Sequence, residues 1–140
     1  MSIILCVTAS IFAQKAEIFS PEGKAIKGFD PVAFFKQGKP IKGTDNLTYQ
    51  WKEATWFFST KENMDTFKAN PDLYIPQYGG YCAYGTAERH KAPTETDTWT
   101  IVNNKLYFNY NKNVKTLWAK NRAELIKKAD SNWEEIKDKE

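Results

Sequence analysis

Cys82 and His90 are the two residues of this sequence best suited to bind a soft metal ion or to carry out nucleophilic chemistry. The 140-residue chain contains two cysteines and one histidine, and these two side chains lie eight positions apart. A thiolate beside an imidazole suits copper or zinc. The chain cannot supply the four Cys and His ligands of a structural zinc site. A complete site would therefore also need a carboxylate, such as Glu88 or Asp97, or a second chain.

The same pair has two other interpretations. A thiol activated by an imidazole can act as a nucleophile, which would make the protein a thiol-dependent enzyme using Cys82 and His90. Such an enzyme also needs a group that orients the imidazole and an oxyanion hole, and the sequence identifies neither. The simpler alternative is a small buried thiol with an unrelated imidazole at the surface.

Three tyrosines around Cys82 are candidates for the wall of a ligand pocket. Tyr78, Tyr81 and Tyr84 are spaced three residues apart, so in a helix they would share one face. Gly79 and Gly80 would let a ligand approach the backbone closely. Aromatic walls with a few polar groups are typical of small-molecule sites. The alternative is that the rings only pack this segment onto a sheet.

The remaining patterns predict an α+β fold, with a small antiparallel sheet of hairpins packed with helices and a long C-terminal helical segment. Residues 47–51 alternate apolar and polar side chains, and residues 55–58 form a second aromatic strand. Residues 99–102 and 105–108 flank Asn103 and Asn104, which tolerate the positive φ of a tight hairpin turn. Apolar residues recur every three to four positions in the tail. No internal repeat is evident.

Two helix starts carry capping signals. We expect Asp30 to cap a short helix that begins at Pro31. We expect Ser59 to cap a second helix, which Asn70 and Pro71 end.

The first fourteen residues differ from the rest of the chain. No charged side chain occurs before Lys15, and an apolar stretch runs from Ile3 to Ala13. The stretch is too short to span a bilayer and resembles the apolar region of a signal peptide. We therefore expect residues 1–14 to be removed and the protein to be periplasmic or secreted, without a stable membrane anchor. A buried N-terminal strand or helix is the alternative.

Composition excludes one class of partner. The net charge of +3 comes from 20 basic and 17 acidic residues without a basic block, so nucleic-acid binding is not expected. The length indicates one domain, which we place at residues 25–138 after a flexible lead-in at residues 15–24.

Taken together, several motifs resemble the YHS-domain family. Residues 26–35 (IKGFDPVAFF) are similar to the family's opening motif, and residues 49–74 to its middle. Residues 76–83 and 99–110 are similar to a third part found in the exported branch. The resemblance covers about residues 24–133 and implies a small exported binding domain.

One departure from the family concerns metal binding. Metal-handling members have cysteines after Asp-Pro-Val, at the end of the second strand and one turn into the next helix. Here these positions hold Ala33, Ser59 and Asn63, so the family's metal site is not expected at these residues. We expect a non-catalytic domain that binds a metal ion or a small ligand between Tyr78 and His90. The alternatives are the thiol-dependent enzyme and a protein-interaction accessory without a small-molecule site.

Overall fold

The computed structural model describes residues 15–140, so the predicted signal peptide lies outside the described residues. Within this part of the chain, two hairpins alternate with helices. The helices are α1 (Ala33–Lys36), α2 (Lys61–Ala69), α3 (Ala83–Ala87), α4 (Lys112–Lys120) and α5 (Arg122–Ile136), and the strands are β1 (Thr44–Trp51), β2 (Ala54–Phe58), β3 (Glu95–Val102) and β4 (Lys105–Asn109). None of the helices in residues 15–140 has both the length and the apolar character that crossing a membrane requires.

Both hairpins close through two-residue turns. Lys52 and Glu53 have φ of 50° and 60°, and Asn103 and Asn104 have φ of 52° and 62°. Positive φ at both central residues gives the backbone twist that antiparallel strands need across so short a connection. β1 pairs with β2 and β3 pairs with β4, in two separate antiparallel sheets. The predicted α+β class is confirmed, with two small sheets rather than one.

The chain repeats one arrangement of elements. In the first unit, a 3₁₀ turn (Ala25–Gly28) precedes α1, the hairpin β1–β2 and α2; in the second, a 3₁₀ turn (Gln77–Gly80) precedes α3, the hairpin β3–β4 and α4. α2 and α4 each contain nine residues, and their first residues lie 51 positions apart. The repeat is not evident in the sequence, because the two units have few identical residues at equivalent positions.

Hydrogen bonds correspond between the units. The N–H of Asp30 donates to the carbonyl of Ile41 at 2.8 Å, and the N–H of Cys82 donates to that of Ala92 at 3.0 Å. α2 and α4 also each begin with a side-chain cap, Thr60 for α2 and Asn111 for α4. The repeat is therefore one of backbone geometry, and it makes Cys82 the counterpart of Asp30.

Asp30 and Ser59 differ in how they meet their predicted capping roles. α1 begins at Ala33 and not at the predicted Pro31, so Asp30 lies three residues before the helix; its carboxylate still accepts hydrogen bonds from the N–H groups of Val32 and Ala33. The prediction for Ser59 is wrong, because Thr60 Oγ1 accepts the hydrogen bond from the N–H of Asn63. The hydroxyl of Ser59 instead donates to Asp30. Where a capping motif contains two adjacent hydroxyl residues, the sequence does not determine which of them accepts the hydrogen bond from the first turn of the helix.

Two apolar clusters form the core; the first joins both hairpins, and the second lies between the second unit and α5. The first contains Trp56, Phe58, Phe67 and Phe108, with Ile18 from the N-terminal segment. In the second, side chains of the predicted helical tail pack onto the tyrosines of the second unit; its buried members are Tyr78, Ala83, Ala87, Tyr107, Trp118 and Ala129. The tail is two helices, α4 and α5, which meet at Asn121.

Residues 15–24, which the sequence predicts to be a flexible lead-in, make contacts with the rest of the domain. Ile18 is only 2% exposed and belongs to the first core cluster. The N–H of Phe19 donates to the carbonyl of Gly79 at 2.8 Å, and Lys24 forms a bridge with Thr55. We call residues 15–21 the N-terminal strap. The segment is mostly polar, so its composition does not predict that Ile18 is buried or that its backbone forms hydrogen bonds with the domain.

Candidate functional site

Cys82 is buried and serves as the cap of α3. Its Sγ accepts hydrogen bonds from the N–H groups of Gly85 at 3.4 Å and Tyr110 at 3.3 Å, and it lies 3.6 Å from Asn109 Oδ1. Burial raises the pKa of the thiol, and the N–H groups of Gly85, Tyr110 and Tyr84 offset part of that rise. The thiol is therefore held in its neutral form, which is the weaker nucleophile and metal ligand.

His90 lies at the surface just beyond α3. It is exposed, and its backbone N–H donates to the carbonyl of Gly85 at 2.9 Å. Of the carboxylates considered as further ligands, Glu88 is exposed and Asp97 pairs with Lys112 at 3.6 Å. Across residues 15–140, no three or more His, Cys, Asp or Glu side chains are grouped so as to hold a metal ion.

Ala33, Ser59 and Asn63, the three positions compared above with metal-binding cysteines, surround Asp30. This carboxylate is fully buried and accepts from the N–H of Ala33, from both the N–H and the hydroxyl of Ser59, and from Nδ2 of Asn63. Such a set of donors compensates the desolvation of a buried charge. Ala33, Ser59 and Asn63 thus stabilise an internal carboxylate.

Gly79 brings the backbone close to the protein's own chain. A Cβ at this position would lie 1.8 Å from the carbonyl oxygen of Glu17, and the residue has φ of +63°. At Gly80, with φ of +92°, a Cβ would lie 3.3 Å from Pro76 Cγ and 3.7 Å from Phe19 Cβ. The space that was predicted for a ligand at these glycines is therefore filled by the N-terminal strap.

Tyr78, Tyr81 and Tyr84 do not share one helix face. Tyr78 lies in the 3₁₀ turn with φ of +59°, Tyr81 is extended, and Tyr84 is in α3. The prediction of a common face is wrong because the backbone changes conformation between successive tyrosines.

Tyr78 and Tyr84 pack in the second core cluster. The hydroxyl of Tyr78 donates to Asp130 Oδ1 at 2.8 Å, and the ring lies beside Tyr107 and Trp133. Burial, with the hydrogen bond to Asp130 as a second cause, raises the pKa of Tyr78. Tyr84 is half-buried against the same cluster. Both therefore serve the core.

Tyr81 is the member of the predicted ligand set that lines a groove. Its ring lies 5.5 Å from that of Phe19, and its hydroxyl donates to the carbonyl of Ala16 at 2.7 Å. The groove runs between the N-terminal strap and the segment after α3 and has a volume of about 380 Å³. Its walls are largely apolar, and they are formed by Lys15, Ala16, Ile18, Phe19, Ser20, Pro21, Tyr81, Lys91 and Pro93.

Lys91 is a buried lysine in the lining of this groove. The residue is 1% exposed, and Nζ donates to the main-chain oxygens of Lys15 at 3.0 Å, Lys137 at 2.7 Å and Glu140 at 3.1 Å. Nζ also lies over the rings of Tyr81 and Trp133, at 5.7 and 5.5 Å from their centroids. Burial lowers the pKa of Lys91, and nearby carboxylates, led by that of Glu140, offset part of this effect.

Neither Lys91 nor the groove is predicted by the sequence. Lysine is among the residues least often fully buried, and its three carbonyl partners come from both ends of the described chain. No local pattern could have identified it.

Lys15 is the half-exposed lysine of the groove lining. Its Nζ donates to the carbonyl of Lys91 at 3.0 Å and lies 3.8 Å from the carboxylate of Glu140, and 55% of the side chain is exposed. The ammonium of Lys15 is therefore paired with groups of the protein itself, the carbonyl of Lys91 and the carboxylate of Glu140.

Comparison of the chain with family models, with curated proteins and with solved structures gives no match.

Proposed function

We propose that this protein is an exported, non-catalytic binding domain that holds a small apolar molecule in the groove beside Tyr81. The observation that carries the proposal is the groove itself. Its volume of about 380 Å³ falls within the range of roughly 300–1,000 Å³ typical of small-molecule sites. Its aromatic walls, Phe19 and Tyr81, offer large apolar contact areas.

The polar groups of the walls support an apolar occupant. The hydroxyl of Tyr81 is bonded to Ala16, and that of Ser20 to the carbonyl of Ile18 at 3.2 Å. Nζ of Lys91 is bonded to three main-chain oxygens, and Nζ of Lys15 to the carbonyl of Lys91. Groups that are already paired gain little from a polar ligand. Burial of apolar surface is then the main source of affinity.

The surroundings of Cys82 support a binding role rather than catalysis. A thiol with a raised pKa inside the core is poorly placed to attack a substrate. The exposed imidazole of His90 gives a shared copper or zinc ion little support. The alternative, a copper or zinc ion bound by both Cys82 and His90, is tested by titrating the wild type, Cys82→Ser and His90→Ala with either metal. That alternative requires both variants to lose affinity for the metal.

Membership of the exported branch of the YHS-domain family belongs to the same proposal. It rests on the sequence motifs alone, and it agrees with a small α+β domain that lacks the metal-site cysteines.

A groove-filling substitution gives the direct test. The probe is N-phenyl-1-naphthylamine, an uncharged dye whose fluorescence rises in apolar sites. We expect the wild type to enhance its fluorescence and Ala16→Trp to abolish that enhancement by filling the groove. Ala119→Trp, at an exposed position of α4, is the matched control and should behave as the wild type. No enhancement by the wild type, or equal enhancement by Ala16→Trp, would refute the proposal.

A further inference from the structure

We infer that Lys91 holds the N-terminal strap closed against the domain, so that ligand binding in the groove and closure of the strap stabilise each other. This inference rests on the proposed function and adds the conformational step that keeps the site formed. It follows from the origin of the groove wall, from the hydrogen bonds of Lys91 and from the turn after the strap.

Most of the groove wall belongs to the N-terminal strap. Six of its nine lining residues lie in the strap, and the other three are Tyr81, Lys91 and Pro93. Within residues 15–140, neither hairpin takes a strand from the strap, so the strap can open without unpairing β1 from β2 or β3 from β4. The groove therefore depends on the closed strap.

Lys91 links the strap to the residues that follow α5. All three N–H donors of its ammonium are used, one on the main-chain oxygen of Lys15 at 3.0 Å and two on those of Lys137 and Glu140 at 2.7 and 3.1 Å. Lys15 also binds in the other direction. Its Nζ donates to the carbonyl of Lys91 at 3.0 Å, and its backbone N–H donates to the main-chain oxygen of Glu140 at 2.9 Å. One buried side chain thus joins two segments that are distant in the sequence.

The charge of Lys91 strengthens this link. Carboxylates on both segments favour the charged ammonium, Glu17 in the strap and Asp138 and Glu140 beyond α5. Opening of the strap separates the ammonium from Glu17 and from the main-chain oxygen of Lys15. Because a buried charge that loses its partners is costly, Lys91 favours the closed strap.

A turn directly after the strap provides the hinge. Glu22 and Gly23 are exposed and have φ of 57° and 80°, and a Cβ at Gly23 would meet no atom within 4 Å. Opening about this turn withdraws Ile18, which is 2% exposed, from the first core cluster. The open strap is therefore a minor state of local unfolding, and a ligand that needs the closed strap lowers its population further.

Hydrogen exchange of the Phe19 amide measures opening of the strap. This N–H donates to the carbonyl of Gly79 at 2.8 Å, so it exchanges only when that bond breaks. Mass spectrometry of strap peptides follows the exchange in the wild type, Lys91→Met and two controls. Lys91→Met keeps an unbranched side chain and removes the three N–H donors. Lys128→Met makes the same change at an exposed position of α5, and Ser59→Ala removes a hydrogen bond to Asp30 in the first unit.

We expect the Phe19 amide to exchange about tenfold faster in Lys91→Met than in the wild type, because the hydrogen bond from a charged donor to the strap is lost. Lys128→Met should exchange as the wild type. Ser59→Ala should do so as well, because it lowers global stability without opening the strap. An unchanged rate in Lys91→Met, or an equal increase in Ser59→Ala, would overturn the role of Lys91.

The coupling to binding is measured in the wild type, and so does not depend on the folding of any variant. With the naphthylamine dye at ten times its dissociation constant, we expect the Phe19 amide to exchange about tenfold more slowly. A rate that bound dye does not change would show that the groove and the strap are independent. If the wild type did not enhance the fluorescence of the dye, the proposed function would itself be refuted, while the exchange rate in Lys91→Met would still decide whether Lys91 holds the strap.

Discussion

Cys82 Sγ and the Asp30 carboxylate occupy equivalent positions in the two units of the chain. Each accepts a hydrogen bond from the backbone N–H of the residue that follows the second strand of its own hairpin, Tyr110 at 3.3 Å and Ser59 at 2.8 Å. Each also accepts from a backbone N–H in the turn that begins the next helix. The same place in the fold therefore takes an acceptor that is a charged carboxylate in one unit and a neutral thiol in the other.

The first prediction concerns the reactivity of Cys82. Because the thiol is buried and its pKa is raised, we expect iodoacetamide at pH 8 to label it only when the protein unfolds. Mass spectrometry of the Cys82 peptide with and without urea measures this. Cys82→Ala should lower the free energy of unfolding by about 0.5–2 kcal/mol through loss of the cap, and Cys82→Ser, which keeps an acceptor, by less. Rapid labelling of the native protein would contradict the assignment.

The second prediction concerns the hydrogen bonds to Asp30. Ser59→Ala removes a hydroxyl that donates to this buried carboxylate at 2.7 Å. We expect a loss of about 1.5–3 kcal/mol of stability, as for other hydrogen bonds to charged groups, with binding in the groove retained. Urea unfolding of this variant beside Ser131→Ala, on the exposed side of α5, gives the comparison. Equal stability of the two variants would show that the Ser59 hydroxyl contributes nothing.

The third prediction separates close approach from backbone strain at glycine. Gly79 and Gly38 have similar φ, +63° and +67°, but a Cβ meets the carbonyl of Glu17 only at Gly79. Gly38→Ala should cost about 1–2 kcal/mol, the strain of a left-handed residue. Gly79→Ala should cost more and should also weaken binding in the groove, because the strap must move. Thermal unfolding measures both variants, and similar losses would rule out the close contact.

The fourth prediction is a loss of stability in alkali. Burial raises the pKa of Tyr81 to about 12, whereas an unfolded tyrosine titrates near pH 10. Between about pH 10 and 12 the unfolded chain therefore holds fewer protons than the native one, so the free energy of unfolding falls as pH rises, by up to about 1.4 kcal/mol per pH unit for this group. Urea unfolding at several pH values should show a shallower decline in Tyr81→Phe. Tyr110→Phe, which changes an exposed ring, is the control, and an equal decline in Tyr81→Phe would contradict the prediction.

The fifth prediction concerns export. Since side-chain charge begins only at Lys15, we expect the mature protein to begin near Gln14 or Lys15. Intact-mass measurement of protein from its native host checks the first residue, and cell fractionation checks the compartment. A full-length cytoplasmic product is the result that the prediction forbids.

Local chemistry in the sequence was sufficient for the two hairpins and for the end of α2. Asparagines at positions 103 and 104 tolerate positive φ and predict their hairpin turn, and Asn70 with Pro71 predicts the end of α2. These inferences hold because turn conformations and helix ends depend on residues only a few positions apart. The prediction of Ser59 rather than Thr60 as the cap was wrong because the serine hydroxyl donates a hydrogen bond to Asp30, which lies 29 positions away in the sequence.

The groove and the environment of each candidate residue were decided by tertiary structure. Cys82, His90 and the three tyrosines lie in one segment of the sequence, but their environments in the fold differ. The thiol and Tyr78 are buried in the core, His90 is exposed at the surface, and Tyr81 lines the groove. Lys91 became a site residue through carbonyls at positions 15, 137 and 140. Desolvation depends on which distant segments pack over a side chain, and no pattern of neighbouring residues contains that information.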